Sequence, residues 1–236
     1  FPYQLLAAFM NTKDIPAKVS LALQEEMEVS CENVPVFGGN VVICPDVSGS
    51  MSSPITGNRG TATTAVRCID VAGLVSAIYL RKNPLARVIP FEGNVVPINL
   101  NPKDSIMTNA QKLASVGGGS TECAAPLALL NREGADVDLV IIVSDLESWV
   151  RSQDRYLQHR ATTVMEQWEP LRKRNPKAKL VLIDIEANKN SQAPEARADV
   201  LNIGGWSDNV FEVINKFMEG NLASDHIVSE VENIDL

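Results

Sequence analysis

Val41-Val42-Ile43-Cys44-Pro45-Asp46-Val47-Ser48-Gly49-Ser50-Met51 decides how this chain is read. Four mostly apolar residues predict a buried strand, and Asp46 falls where that strand ends. The run Asp46-x-Ser48-x-Ser50 places one carboxylate and two hydroxyls within a five-residue turn. Gly49 leaves the backbone free to turn tightly there. Oxygen ligands carrying little charge suit a hard divalent cation, Mg2+ before Zn2+.

Two later stretches extend the pattern. Gly117-Gly118-Gly119-Ser120-Thr121-Glu122 is a glycine loop that delivers a hydroxyl, and Leu139-Val140-Ile141-Ile142-Val143-Ser144-Asp145 is a second apolar strand ending in an aspartate. Outward from these, apolar runs alternate with helix-period segments. The first strand is expected near 40–46, a long helix over 61–83 and a second strand over 86–91. A short strand at 95–98 follows closely enough to be an antiparallel hairpin edge, which tolerates Pro97. Helices near 103–115 and 124–132, a strand over 137–144, a helix over 161–174, strands over 180–185 and 200–203 and a helix over 209–218 complete the series. The fold class is therefore α/β: a doubly wound, mostly parallel six-stranded sheet with helices on both faces. In such sheets ligands collect beyond the carboxyl ends of parallel strands, where Asp46 and Asp145 both fall.

Residues 1–37 read differently. Tyr3 to Met10 and Ile15 to Val29 carry helix-period apolar positions and form a helical hairpin, with Pro16 suited to a first turn. Periodicity leaves two readings open: the end of a helical-repeat array, or a helix pair packed on the domain that follows. The tail over 221–236 is acidic. A chain that opens Phe1-Pro2-Tyr3, without Met, is read as a fragment or a processed product.

Composition narrows the function. The chain has 45% hydrophobic and 21% charged residues, as an ordinary globular domain does. A net charge of −8 argues against a general nucleic-acid binder. No run reaches the length of a membrane span, so no membrane partner is expected. Cys31, Cys44, Cys68 and Cys123 form no CxxC pair, which points to reduced thiols and a cytoplasmic protein, with Cys44 and Cys68 buried. His159 and His226 have no spacing that implies ligation. Glu122 and Glu147 flank the candidate site as supporting or solvated carboxylates. Asp70 is expected on the exposed edge of its helix, and Arg172-Lys173-Arg174, with Lys177 and Lys179, on a solvated face.

Asp46-x-Ser48-x-Ser50, a later Thr121 and a strand-end Asp145 together resemble the metal-ion-dependent adhesion site (MIDAS) of a von Willebrand A domain. The resemblance covers about residues 38–220. It implies that Asp46, Ser48, Ser50, Thr121 and Asp145 hold a divalent metal, Mg2+ first, with Mn2+ or Ca2+ possible ions. It also implies binding rather than turnover, because an acidic side chain of a partner protein completes the metal shell. A narrower resemblance rests on Phe1-Pro2-Tyr3, Glu32-Asn33-Val34-Pro35, Gly119 to Pro126 and Val143 to Ser148. These look like the Ro ribonucleoprotein family, in which a ring of helical repeats (the TROVE module) precedes the A domain and binds Y-type and defective noncoding RNAs. Residues 1–37 would then be the remnant of that ring, and RNA would be held by the part absent from this chain.

Two rivals are weighed against this. An A domain from a chelatase or ATPase-associated subunit would not need the helical lead-in. A Mg2+-dependent phosphohydrolase with Asp46 as nucleophile needs a second acid two residues on, and Ser48 stands there. None of the common nucleotide-binding, serine-hydrolase or zinc-protease motifs occurs. The chain is therefore not expected to be an enzyme.

Overall fold

The computed structural model describes residues 2–11, 16–56, 65–145, 155–186 and 197–220. Two helices, α1 (Pro2–Asn11) and α2 (Ala17–Glu32), lead into strand β1 (Val41–Pro45), which a 3-10 turn (Gly49–Ser52) follows. Then come α3 (Cys68–Lys82), β2 (Arg87–Val88), α4 (Ile106–Leu113), α5 (Ala125–Glu133) and β3 (Leu139–Ser144). Helix α6 (Arg155–Arg174), β4 (Lys179–Asp184), β5 (Val200–Gly204) and α7 (Val210–Glu219) complete the order.

The strands form one sheet in the order β2-β1-β3-β4-β5, and every neighbouring pair is parallel. The chain winds outward from β1 in both directions, so the switch point lies between β1 and β3. The sheet has five strands rather than the expected six. The 95–98 stretch reaches only as far as a single antiparallel bridge, Phe91 with Val95. Pro90 and Pro97 lack the N–H groups that a longer hairpin would need.

Both faces are covered, and the two-residue period of the strands sorts the core. Val41, Ile43, Leu139, Ile141, Val143, Val181 and Ile183 join one core with α3, α4, α7 and the lead-in helices. Val42, Cys44, Val140, Ile142, Leu180 and Leu182 face the other, where Leu127, Leu130, Trp168 and Leu171 close over them from α5 and α6. β1 and β3 are buried along their whole length, as central strands of such a sheet must be.

The lead-in helices pack on this body. Leu6, Met27, Cys31 and Val34 belong to the same core as Tyr79 and Phe211. The Tyr3 N–H donates to Asp208 Oδ1 at 3.1 Å, and Glu28 accepts from the first amide of α4, at Ile106, at 2.7 Å. The lead-in helices thus pack on the domain that follows, as the last helices of a repeat array can also do.

The expectation for Asp70 is corrected. Asp70 is buried, because it lies in the first turn of α3 and folds back on Arg67. Its carboxylate accepts from the Arg67 N–H at 2.9 Å and from the guanidinium at 2.8 Å and 3.0 Å. The basic run is solvated as expected at Lys173, Arg174 and Lys177, and some of its members also make contacts within the domain. Arg172 pairs with Asp199 at 3.3 Å, Arg174 donates to Asn131 at 3.0 Å, and Lys179 caps the last carbonyls of α7 at Phe217 and Met218. The expectations for Glu147, His226 and the tail from 221, and for the side chain of His159, fall outside the described residues. Among the described residues no helix is long and apolar enough to cross a membrane.

Candidate metal centre at the sheet switch point

Asp46 follows β1 directly and is fully buried. Its neighbours on both sides come from the sheet. Its N–H donates to the Val143 carbonyl of β3 at 2.8 Å, and it bridges in parallel to Phe91, beyond the end of β2. One carboxylate oxygen accepts from the Ser48 N–H at 2.8 Å, and the other from the Ser144 hydroxyl at 2.6 Å. Burial pushes the Asp46 carboxyl above the usual carboxylate range; the bonds from Ser144 and Ser48 oppose that push, and the charge of Asp145 adds to it.

The turn after Asp46 brings the two serines together. Ser48 Oγ and Ser50 Oγ lie 3.2 Å apart. Oxygens on adjacent corners of an octahedron are about 3.0 Å apart for Mg2+ and about 3.4 Å for Ca2+, given metal–oxygen bonds of about 2.1 and 2.4 Å. The two hydroxyls are in hydrogen-bond contact at this distance, which also matches the spacing of two neighbouring ligands on a hard cation. Among the described residues no three of His, Cys, Asp and Glu come together as ligands.

The glycine loop is laid against this turn. Gly49 N–H donates to the Gly119 carbonyl at 2.9 Å, and Gly118 N–H to the Val47 carbonyl at 2.8 Å. Gly117 has φ +86°, and a Cβ there would sit 2.2 Å from the Val47 carbonyl oxygen. Only glycine allows that approach. Thr121 follows two residues after Gly119 and is half-buried. Asp145 is half-buried at the end of β3, close enough for its charge to act on Asp46 and on the Cys68 thiol. The structure thus joins Asp46, Ser48 and Ser50 by direct contact. It delivers the loops carrying Thr121 and Asp145 to the same rim.

A family model described as the Ro60 vWA domain matches residues 40–218. The chain belongs to the Ro60 vWA domain family. The RNA-binding protein RO60 of Deinococcus radiodurans is 28% identical over 202 residues, covering 85% of this chain and 36% of that protein. The RNA-binding protein RO60 of Caenorhabditis elegans is 21% identical over 208 residues, covering 87% of this chain and 30% of that protein. The chain thus spans about a third of the length of these two relatives. In fold it is similar to the crystal structure of the Deinococcus radiodurans RO (RSR) protein, with a TM-score of 0.69 at 24% identity over 94% of this chain and 44% of that one.

Two residues of this Ro60-type site escape the motif. Ser144 stands one step beyond the Pro45–Val143 pair of the β1–β3 register, directly opposite Asp46 and on the same face. Strand alternation gives its face, but only the register gives its partner. Glu92 looks like a turn residue, yet its carboxylate accepts from Gly119 N–H at 2.8 Å and its carbonyl from Glu122 N–H at 2.8 Å. It ties the glycine loop to the end of β2, and nothing local in the sequence marks it. Glu122 folds back on the start of α5, accepting from Ala124 N–H at 3.2 Å, as a supporting carboxylate would.

Proposed function

We propose that this chain is the metal-dependent protein-interaction domain of a Ro-like RNA-binding protein. Asp46, Ser48, Ser50, Thr121 and Asp145 would hold the divalent metal, Mg2+ in the first place, with Mn2+ or Ca2+ as substitutes. The observation that carries this reading is the 3.2 Å spacing of the Ser48 and Ser50 hydroxyls beside a buried Asp46, at the switch point of the sheet. A bound cation would supply a positive centre for an anionic oxygen. The chain's own part is to hold the hydroxyls rigid, to keep Asp46 dry and oriented through Ser144, and to leave the charge at the rim nearly balanced. Two carboxylates and three hydroxyls around a divalent ion leave it able to accept one more acid, which a partner protein provides.

RNA belongs to the other part of the protein in this reading. Both relatives are named RNA-binding proteins, and this chain matches only about a third of the length of each. The net charge of −8 suits a domain that leaves phosphate binding elsewhere. Residues 1–37 are then the last helices of a TROVE-type ring, which binds Y-type or misfolded noncoding RNA. Val19, Leu21 and Val29 on α2 are exposed, as on a helix that stacks against further helices. The four cysteines are free and buried, which supports a reduced, cytoplasmic setting. Turnover is not part of this function, since Ser48 stands where a phosphohydrolase needs its second acid.

Calorimetric titration of the chain with Mg2+, Mn2+ and Ca2+ tests the metal. A single site lost in Asp46→Ala is expected, and no heat with any of the three ions would end this reading. Gel-shift titration with a structured small RNA tests the division of labour. The chain alone is expected to give no tight, salt-sensitive complex.

A further inference from the structure

A groove opens beside the candidate metal centre, with a volume of about 230 Å3. It begins at Glu122, the residue after Thr121, and runs along α5 to Arg132, walled by the Gly93–Val95 turn on one side and Gln167 of α6 on the other. Its floor is made of small residues, Ala125 and Ala128 among them. Arg132 is exposed, and the nearby acid Glu133 is already taken by Arg87, at 2.7 Å and 3.3 Å. Among the described residues the Arg132 guanidinium makes no ion pair.

We infer that the partner is an extended acidic segment of a protein, read at two points: one acid at the metal and a second at Arg132, with the residues between them lying in the groove. This rests on the metal-dependent reading given above. Ala125 and Arg132 are seven helical rises apart, about 10 Å. An extended chain covers that distance, plus the step back to Thr121, in about four residues. Residues four apart on a strand leave it on the same side, so both acids face the domain. The small side chains of the floor leave room in the groove for the residues between the two acids. A nucleic-acid strand fits less well: the groove contains no aromatic ring for a base to stack on, offers one cation, and starts at a glutamate.

Selection of a random peptide library on the immobilised chain in Mg2+, with elution by EDTA, tests this. Recovered peptides are expected to carry two acids about four residues apart. Changing the second acid to its amide should weaken binding about 3–5-fold on the native chain, as for an exposed ion pair. The same change should have no effect on Arg132→Gln, whose fold is checked by its unchanged melting temperature. Peptides with one essential acid, or an equal loss on Arg132→Gln, would overturn the two-point inference while leaving the metal reading intact. A selection that yields nothing on EDTA elution, together with silent metal titrations, would remove both. A short oligouridylate that binds in Mg2+ and depends on Arg132, with no acidic peptide recovered, would replace the peptide by a phosphate backbone.

Discussion

Ser144 and Gly117 show what single atoms do at this rim. The Ser144 hydroxyl is the donor to one oxygen of a buried carboxylate, so Ser144→Ala leaves that oxygen dry and unpaired. Chemical denaturation in EDTA should show a loss of about 1–3 kcal/mol. Calorimetry should show Mg2+ affinity weakened roughly 10-fold, because the partner that orients the proposed ligand Asp46 has gone. A variant with unchanged stability would mean that the bond is not made in solution. Gly117 and Gly118 separate backbone strain from collision. Both have positive φ, +86° and +112°, but a Cβ on Gly117 would strike the Val47 carbonyl while one on Gly118 meets nothing within 4 Å. Gly118→Ala should cost about 1 kcal/mol of strain, and Gly117→Ala clearly more, with the loop displaced and metal binding lost. Denaturation midpoints of the two variants check the order. The grouping of Asp46, Ser48 and Ser50 was legible in Asp46-x-Ser48-x-Ser50 because a local turn fixes it. Ser144 and Glu92 were not, because their roles exist only once separate strands are in register.

Elements were legible where an apolar run met a turn signal on each side. β1, β3 and β4 are such runs, and their buried alternation follows from it. The sixth strand failed because one bridge, Phe91 with Val95, is all that the prolines around it permit. Asp70 was misplaced because a helix buried almost all round leaves no exposed edge, so a charge in its first turn must find a local partner. The start of β5 shows the same rule between elements. Asp199 lies just before it and accepts from Trp168 Nε1 at 2.9 Å and from Arg197 at 2.7 Å and 3.0 Å. Burial alone would push its carboxyl up. The bonds from Arg197 and Trp168, with the Arg197 charge, outweigh burial and hold it at about 2. A carboxylate lowered on folding stabilises fully above its unfolded value of about 3.9, and that contribution disappears as pH falls towards about 2. The native chain should therefore exceed Asp199→Asn by about 2 kcal/mol at neutral pH, with the gap closing between about pH 4 and 2. Urea denaturation at a series of pH values reads this. A gap that does not narrow would show that Asp199 is no more strongly held than in the unfolded chain.

At the scale of the molecule, helical periodicity identifies an apolar face but not the surface it meets, so the lead-in could not be assigned from sequence. The structure gives α1 and α2 a shared core with the sheet domain. Met27 and Cys31 are buried with Tyr79 and Phe211, Lys82 Nζ donates to the Glu32 carbonyl at 2.6 Å, and Arg81 pairs with Glu28 at 3.1 Å. A segment held this way unfolds with the body, whereas an independent appendage unfolds by itself. Met27→Ala opens a cavity at that junction and should cost about 2–5 kcal/mol. Tryptophan fluorescence follows it, since two of the three tryptophans, Trp168 and Trp206, lie in the sheet domain, Trp206 edge-on to Phe211 at 5.8 Å. In denaturant the fluorescence and helical circular dichroism midpoints of Met27→Ala should fall together and coincide. If dichroism falls while tryptophan fluorescence keeps the native midpoint, the lead-in is a separate folding unit and its contacts with α3 and α4 do not stabilise the Ro60-type domain.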